Sequence, residues 1–393
     1  MTGRLPDVHA PNELARLLAT KRAAGRRLLD LTITNPPAAG LIAFDAMARA
    51  ALADPSVEAY DPDPRGRRSA REALASAYAA SGDEVDPDRL FLTASTSEAY
   101  AHLLRLLCEP GDEVLIPRPS YPILEPIARL EGVRALPYRL TYDRRWILDI
   151  DSLEGAAGDR TRAIVVIEPN NPTGSVLSRD ERAAVEEFAV RRRLAIIADE
   201  VFREFPWPPA ATPLPTWLGN RDVPTFVLGG ASKSCGLPQA KVAWIALAGP
   251  RAAAERLAEG LEWVLDLFLS VGAPIQAALP LLLSRRGTFQ AAARDRIAGS
   301  LGQWRAWAAR GAGAEILAAE GGWSVMVRLE TWPEPSLEPA LWALREHDIV
   351  VHPAHFYDGD DDRSVVASLL TDPDVLQTAL KRWSPGIRAP SAG

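Results

Sequence analysis

The chain has 393 residues, of which 47% are apolar and 24% charged, a globular composition at a length that suggests two or three domains. A net charge of −7 argues against a nucleic-acid binder, which presents a basic face. No apolar run approaches the ~20 residues that span a bilayer, and Met1 to Thr20 has early acids and no apolar core, so no signal peptide or membrane partner is expected and the protein reads as cytoplasmic.

In chain order, the N-terminal segment through Asn35-Pro36-Pro37 is expected to pack on a later, smaller domain. Residues 90–93, 114–117, 163–167, 194–198, 225–228 and 242–247 read as buried strands. Each is short, rich in β-branched residues and bounded by Gly, Pro, Asp or Asn. Helical patterns lie between them, among them 98–107 and 179–192. This alternation predicts an α/β fold: a mostly parallel central sheet with helices on both faces. The proline cluster from Pro206 to Pro215, with Trp207 and Trp217, reads as a long loop or surface excursion.

The second part of the chain differs. Residues 276–310 form a long Ala/Leu/Arg-rich helical pattern, followed by a strand at 323–329, a helix at 337–346 and an apolar segment at 349–352. These predict a smaller α+β domain. The expected division is a large domain over 45–285 and a small one built from 1–44 and 286–393.

Several features read as structural. Cys108 and Cys235 offer no disulfide framework and no CxxC pair. His352 and His355 lack a third ligand at metal spacing, so they read as loop histidines and no metal is expected. The acidic run from Asp358 to Asp362 lacks the spacing of a calcium loop and reads as a solvated turn.

The chemistry-bearing residues share one location, just after a predicted strand, on the sheet edge where open α/β folds bind ligands. Ser95, Thr96 and Ser97 stand between the first strand and its helix, where free backbone N–H groups and hydroxyls suit an anion. The S-x-x-E spacing of Ser95 and Glu98 equally fits a plain capping box. Tyr121, in Pro119-Ser120-Tyr121-Pro122, can stack on a flat ring. Asn171, in Asn170-Asn171-Pro172-Thr173-Gly174, can donate to a phenolic oxygen. Asp199 ends a buried strand, so its carboxylate needs a partner: a pyridinium nitrogen, a lysine or a helix cap. Lys233, in Ser232-Lys233-Ser234-Cys235-Gly236-Leu237-Pro238, is flanked by small residues and can approach an aldehyde. Lysine suits imine chemistry because its surroundings can neutralise its amine. Lys241 follows before the next strand and could meet a phosphate.

In this order and spacing, the strings NNPTG, ADEVF and SKSCGLP resemble those of fold-type I pyridoxal phosphate enzymes, the class I/II aminotransferases in particular, and the resemblance runs from about Asp30 to Leu380. It implies pyridoxal 5′-phosphate carried as a Schiff base on Lys233, with Lys233 moving the proton during the reaction. By the same resemblance Asp199 pairs with the ring nitrogen, Asn171 donates to the ring oxygen and Tyr121 stacks on the ring. Ser95, Thr96, Ser97, Ser232 and Lys241 surround the phosphate. Tyr60, in Tyr60-Asp61-Pro62, reaches the phosphate of a neighbouring subunit, which implies a homodimer. Thr34 and Asn35 fall where the family's N-terminal segment touches substrate, and the partners are a small-molecule amino donor and an oxo acceptor.

The chain also departs from the family. Phe202 replaces the tyrosine whose hydroxyl donates to the ring oxygen. Gly230 stands where a serine is usual, and Lys241 where an arginine is usual. Val366 falls at the position of the arginine that grips the substrate's α-carboxylate; Arg363, three residues earlier, either substitutes for it or is a surface arginine beside the acidic loop. An aminotransferase is the leading expectation. A lyase, cyclase or oxidase on the same cofactor is the alternative. A non-enzymatic regulator is the remote one, since the fold begins by about Asp30 and leaves no room for a DNA-binding domain before it.

Overall fold

The computed structural model describes residues 11–41, 45–209, 213–311, 313–330 and 337–383. The reading of the first ten residues and the outer limits of the expected small domain lie outside the described residues. Strand β1 (Leu29–Asp30) is followed by the strands of the large sheet: β2 (Leu90–Thr93), β3 (Glu113–Arg118), β4 (Arg134–Tyr142), β5 (Trp146–Leu148), β6 (Thr161–Ile167), β7 (Ala195–Asp199), β8 (Thr225–Gly230) and β9 (Ala243–Ala248). Their order is β2-β9-β8-β7-β6-β3-β4-β5. The centre, from β8 to β4, is parallel, whereas β9 runs antiparallel to both β8 and β2 and β5 antiparallel to β4.

The six predicted strands appear with shifts of a residue or two. Their continuous burial has a simple cause: helices cover both faces, so neither set of alternating side chains meets water. Along β7, Ala195 and Ile197 join one apolar cluster with Leu103 of the helix Thr96–Leu107 and Leu261 of the helix Arg251–Asp266. Ile196 and Ala198 join the other, with Phe188 of the helix Arg179–Arg192 and Leu74 of the helix Arg68–Ala79. Strands β4 and β5 are absent from the sequence reading. Strand β4, ArgAlaLeuProTyrArgLeuThrTyr, has no continuous apolar run because its position near the sheet edge leaves several side chains in water.

A second sheet joins β10 (Ala314–Ile316), β11 (Ser324–Leu329), β13 (His352–Pro353) and β14 (Ser364–Ser368) in the order β10-β11-β14-β13. Strand β12 (Ile349–Val350) pairs in parallel with β1, which ties the N-terminal segment to this part of the molecule. The 36-residue helix Ala273–Ala308 serves both sheets. Leu279 and Leu283 pack in the large-sheet core, while Phe289, Ile297 and Trp304 pack in the core of the small sheet.

Two loop readings need correction. The proline-rich segment is anchored in the interior at Trp207 and Trp217, whereas Pro208, Pro209 and Pro215 are exposed and residues 210–212 lie outside the described residues. Both indoles are buried; Trp207 Nε1 donates to the Gly322 carbonyl and Trp217 Nε1 to Glu168. Sinking two large apolar rings outweighs the cost of ordering a proline-rich segment. The acidic run is not wholly solvated either, since Asp361 accepts from Arg328 at 2.6 Å and from Ser364 at 2.9 Å. No group of three or more His, Cys, Asp or Glu side chains suited to holding a metal ion occurs among the described residues.

Candidate active site

The short helix Ala231–Ser234 begins where β8 ends, and it carries Lys233. The Ala231 N–H donates back to the Val242 carbonyl, which holds the turn against β9. Gly236 lets the chain leave the helix. Its φ is +68°, and a Cβ there would sit 2.5 Å from the Phe289 ring. Gly236→Ala is therefore expected to destabilise the protein by about 2 kcal/mol, read as a lower denaturant midpoint with unchanged slope.

Burial pushes the Lys233 amine down to about 8, although the nearby Asp199 carboxylate opposes the shift. No hydrogen bond to this amine occurs among the described residues. Its nitrogen lies 4.8 Å from the Trp323 ring centre and 5.4 Å from that of Phe202. Phe202 is buried and meets Trp323 edge-on at 5.4 Å.

Asp199 closes β7. Tyr100 Oη donates to its Oδ2 at 2.9 Å, and the Val201 N–H donates to its Oδ1 at 3.1 Å. Burial raises the Asp199 pKa despite these donors and the Lys233 charge. A buried carboxylate served only by neutral hydrogen bonds remains short of a cationic partner. Its neighbour Glu200 is different: its oxygens accept from Thr216 and from the Trp217 N–H, away from the lysine.

Asn171 lies in the turn after β6. Gly174 of that turn has φ +66°, and a Cβ there would meet the Gly321 carbonyl oxygen at 2.5 Å. This close approach lets the Gly174 carbonyl accept from the N–H groups of Glu320 and Gly321. Trp323 and Ser324 are thereby drawn to the large-sheet edge, and Ser324 Oγ donates to Asn171 Oδ1 at 3.2 Å. Among the described residues the Asn171 amide N–H groups make no hydrogen bond.

The remaining predicted residues are more scattered. Ser95 caps the helix Thr96–Leu107 by accepting from the Glu98 N–H, and Glu98 accepts from the Ala94 N–H rather than from Ser95, so the capping box is only half made. Thr96 and Ser97 follow in the first helical turn, half-buried. Ser232 is half-buried beside Lys233, while Lys241 is exposed in a left-handed turn with φ 51°. Tyr121 is 49% exposed and Tyr60 87% exposed. Thr34 and Asn35 are exposed on a segment docked through the Ser368 hydroxyl, which donates to the Ile33 carbonyl. Arg363 is also exposed, at the outer end of β14, with its Nε 3.7 Å from Asp361.

Sequence reasoning passed over Tyr100, Trp323 and Ser324. Tyr100 carried a usable signal, being one helical turn beyond Thr96 on the helix that starts at the same sheet edge. Trp323 and Ser324 carried none, because their place depends on a long-range contact with the Asn171 turn.

The model of the aminotransferase class I and II family matches residues 26–353. This chain belongs to the class I and II aminotransferase family. Glutamate-pyruvate aminotransferase AlaA of Haemophilus influenzae is 31% identical over 261 residues, which are 66% of this chain and 64% of that relative. The aligned part thus spans just under two thirds of the relative's length. Among solved structures, N-succinyldiaminopimelate aminotransferase from Mycobacterium tuberculosis superposes with a TM-score of 0.77 at 27% identity, covering 95% of this chain and 96% of that one. Alanine aminotransferase from Pyrococcus furiosus superposes with a TM-score of 0.82 at 21% identity, covering 94% and 95%. The fold is that of the class I and II aminotransferases throughout. No helix among the described residues is long and apolar enough to cross a membrane.

Proposed function

We propose that the protein is a cytoplasmic, pyridoxal 5′-phosphate-dependent aminotransferase that moves an amino group from a small-molecule donor to an oxo acceptor. One observation carries this reading. A desolvated lysine amine, lowered to about 8, stands beside a buried carboxylate that has only neutral donors. An aldehyde on a pyridinium ring answers both needs, so the residues present fit the cofactor. Family membership and the names of the relatives support the same reading.

When bound, pyridoxal 5′-phosphate supplies an electron sink for the carbon that bears the amine. Lys233 Nζ is the attachment point and the base that carries the proton between substrate and cofactor carbons. Asp199 keeps the ring nitrogen protonated, and Tyr100 and the Val201 N–H orient its carboxylate. Asn171, its amide held by Ser324, donates to the ring oxygen. Tyr121 covers the ring. The hydroxyls of Ser95, Thr96, Ser97 and Ser232, with Lys241, hold the phosphate. Thr34 and Asn35 border the substrate.

Phe202 supplies no donor to the ring oxygen, so the deprotonated state is less stabilised than with a tyrosine. The absorbance of the bound cofactor is expected to titrate about one pH unit lower in Phe202→Tyr than in the wild type. A spectral titration that gives identical midpoints contradicts this.

A homodimer completes the proposal. Tyr60 and Leu269 line one cleft of about 330 Å³. Trp263 and Leu267, 73% and 74% exposed, lie just before Leu269 in the chain. Such a surface suits a second copy of the chain, which would bring Tyr60 to the neighbouring phosphate. Sedimentation equilibrium returning a monomer refutes the dimer.

The functional test mixes the holoenzyme with amine donors and follows the cofactor's spectrum. Transamination converts the cofactor to its pyridoxamine form. A lyase, cyclase or oxidase releases product and restores the starting spectrum, and failure to take up the cofactor at all refutes both readings.

A further inference from the structure

We infer that the amine donor carries no free carboxylate on its amine-bearing carbon, and that the wall formed by Met326 and Val366 receives an uncharged substituent there, such as a carboxamide, ester or alkyl group. This inference rests on the aminotransferase reading above.

The small sheet has two chemically distinct faces. In the antiparallel pairing of β11 with β14, Ser324 lies opposite Ser368 and Met326 opposite Val366, while His352 of β13 flanks Val366 on its other side. Because side chains alternate along a strand, these five residues share one face. The other face, with Val325, Val327, Val365 and Ala367, is sealed in the core of the small sheet.

The first face looks toward the candidate site. Ser324 touches Asn171. His352 Nδ1 and Tyr357 Oη are 2.9 Å apart, and the Tyr357 carbonyl accepts from the Ser120 N–H, next to Tyr121. Met326 and Val366, 3% and 2% exposed, belong to the same apolar cluster as Tyr357 and as Leu237, which follows the Lys233 loop.

The side chains of Ser324, Met326, Val366 and Ser368 carry no charge. Burial lowers the His352 pKa, so the ring is neutral at physiological pH. Three arginines of the adjoining segments lie beside carboxylates. Arg328, two residues beyond Met326, holds Asp361 at 2.6 Å and Glu315 at 3.2 Å. Arg118, leading into the Tyr121 loop, holds Glu125 at 2.9 Å and lies 3.5 Å from Asp358. Arg363 lies beside Asp361 at the outer end of β14. A carboxylate pressed against Val366 would lose its water and gain no cation, whereas a neutral group loses little.

The test is a single-turnover comparison of L-alaninamide with L-alanine on the holoenzyme, with each donor's concentration counted as free amine from its own titration. The expected result is a half-saturating concentration at least about tenfold lower for L-alaninamide, the factor set by about 1.4 kcal/mol. Val366→Arg supplies a guanidinium and is expected to shift this ratio at least about tenfold toward L-alanine. Should that variant fail to fold, the wild-type comparison still decides. L-Alanine saturating at an equal or lower concentration overturns the inference while leaving transamination intact. Conversion to the pyridoxamine form by neither donor also overturns the inference, while the aminotransferase reading stands or falls on the wider set of amine donors.

Discussion

Lys233→Ala is expected to lower turnover by at least about 10⁴-fold, because the substitution removes both the attachment point and the proton carrier. The fold should survive, since the amine makes no hydrogen bond among the described residues and its neighbours there are Trp323 and Phe202. Unchanged circular dichroism with lost turnover is the expected pair of results. The wild-type lysine carries a second signature. Its amine, lowered to about 8 by burial, is mostly protonated below that pH and mostly free above it. Capture of pyridoxal 5′-phosphate by the apoenzyme should therefore accelerate as pH rises through about 8 and level off beyond it. An ordinary lysine would still be gaining reactivity toward pH ~10.4. Stopped-flow mixing across that range separates the two cases.

Asp199→Ala is expected to cost about 10²- to 10³-fold in turnover, the usual loss when one preorganised electrostatic partner is removed from a buried site. Asp199→Asn should lose nearly as much, because it keeps the shape of the carboxylate and discards its charge. Stability should move the other way or stay level. Burial raises the Asp199 pKa, so the charged form costs folding energy at neutral pH, and a neutral amide avoids that cost. Turnover, read with the urea midpoint for each variant, distinguishes this role from a structural one. A variant as active as the wild type would show that Asp199 has no part in the chemistry.

The residues legible in the sequence were those whose place depends on local pattern. Strands β2, β3, β6, β7, β8 and β9 are short apolar runs with polar punctuation, and their carboxyl ends carry Asn171, Asp199 and Lys233 into loops at one sheet edge. Strand β4 escaped because Pro137 and its charged positions break the apolar run at the sheet edge. Tyr100 escaped because, on a helix, a tyrosine that donates to Asp199 looks like one more core residue. Trp323 and Ser324 escaped for a different reason: their approach to Lys233 and Asn171 depends on a long-range contact, in which Gly174 admits the 320–321 backbone. Burial of Trp207 and Trp217 is not legible in the proline-rich stretch, because it depends on distant hydrogen-bond partners, the Gly322 carbonyl and Glu168.

Covalent attachment at Lys233 is the claim on which the functional reading stands. Borohydride reduction of the holoprotein, followed by peptide mapping by mass spectrometry, tests it directly. The expected result is one pyridoxyl adduct, on Lys233 in the peptide that contains Ser232 and Ser234. An adduct on Lys241 or another lysine, or no adduct on a protein that retains activity, would contradict the account.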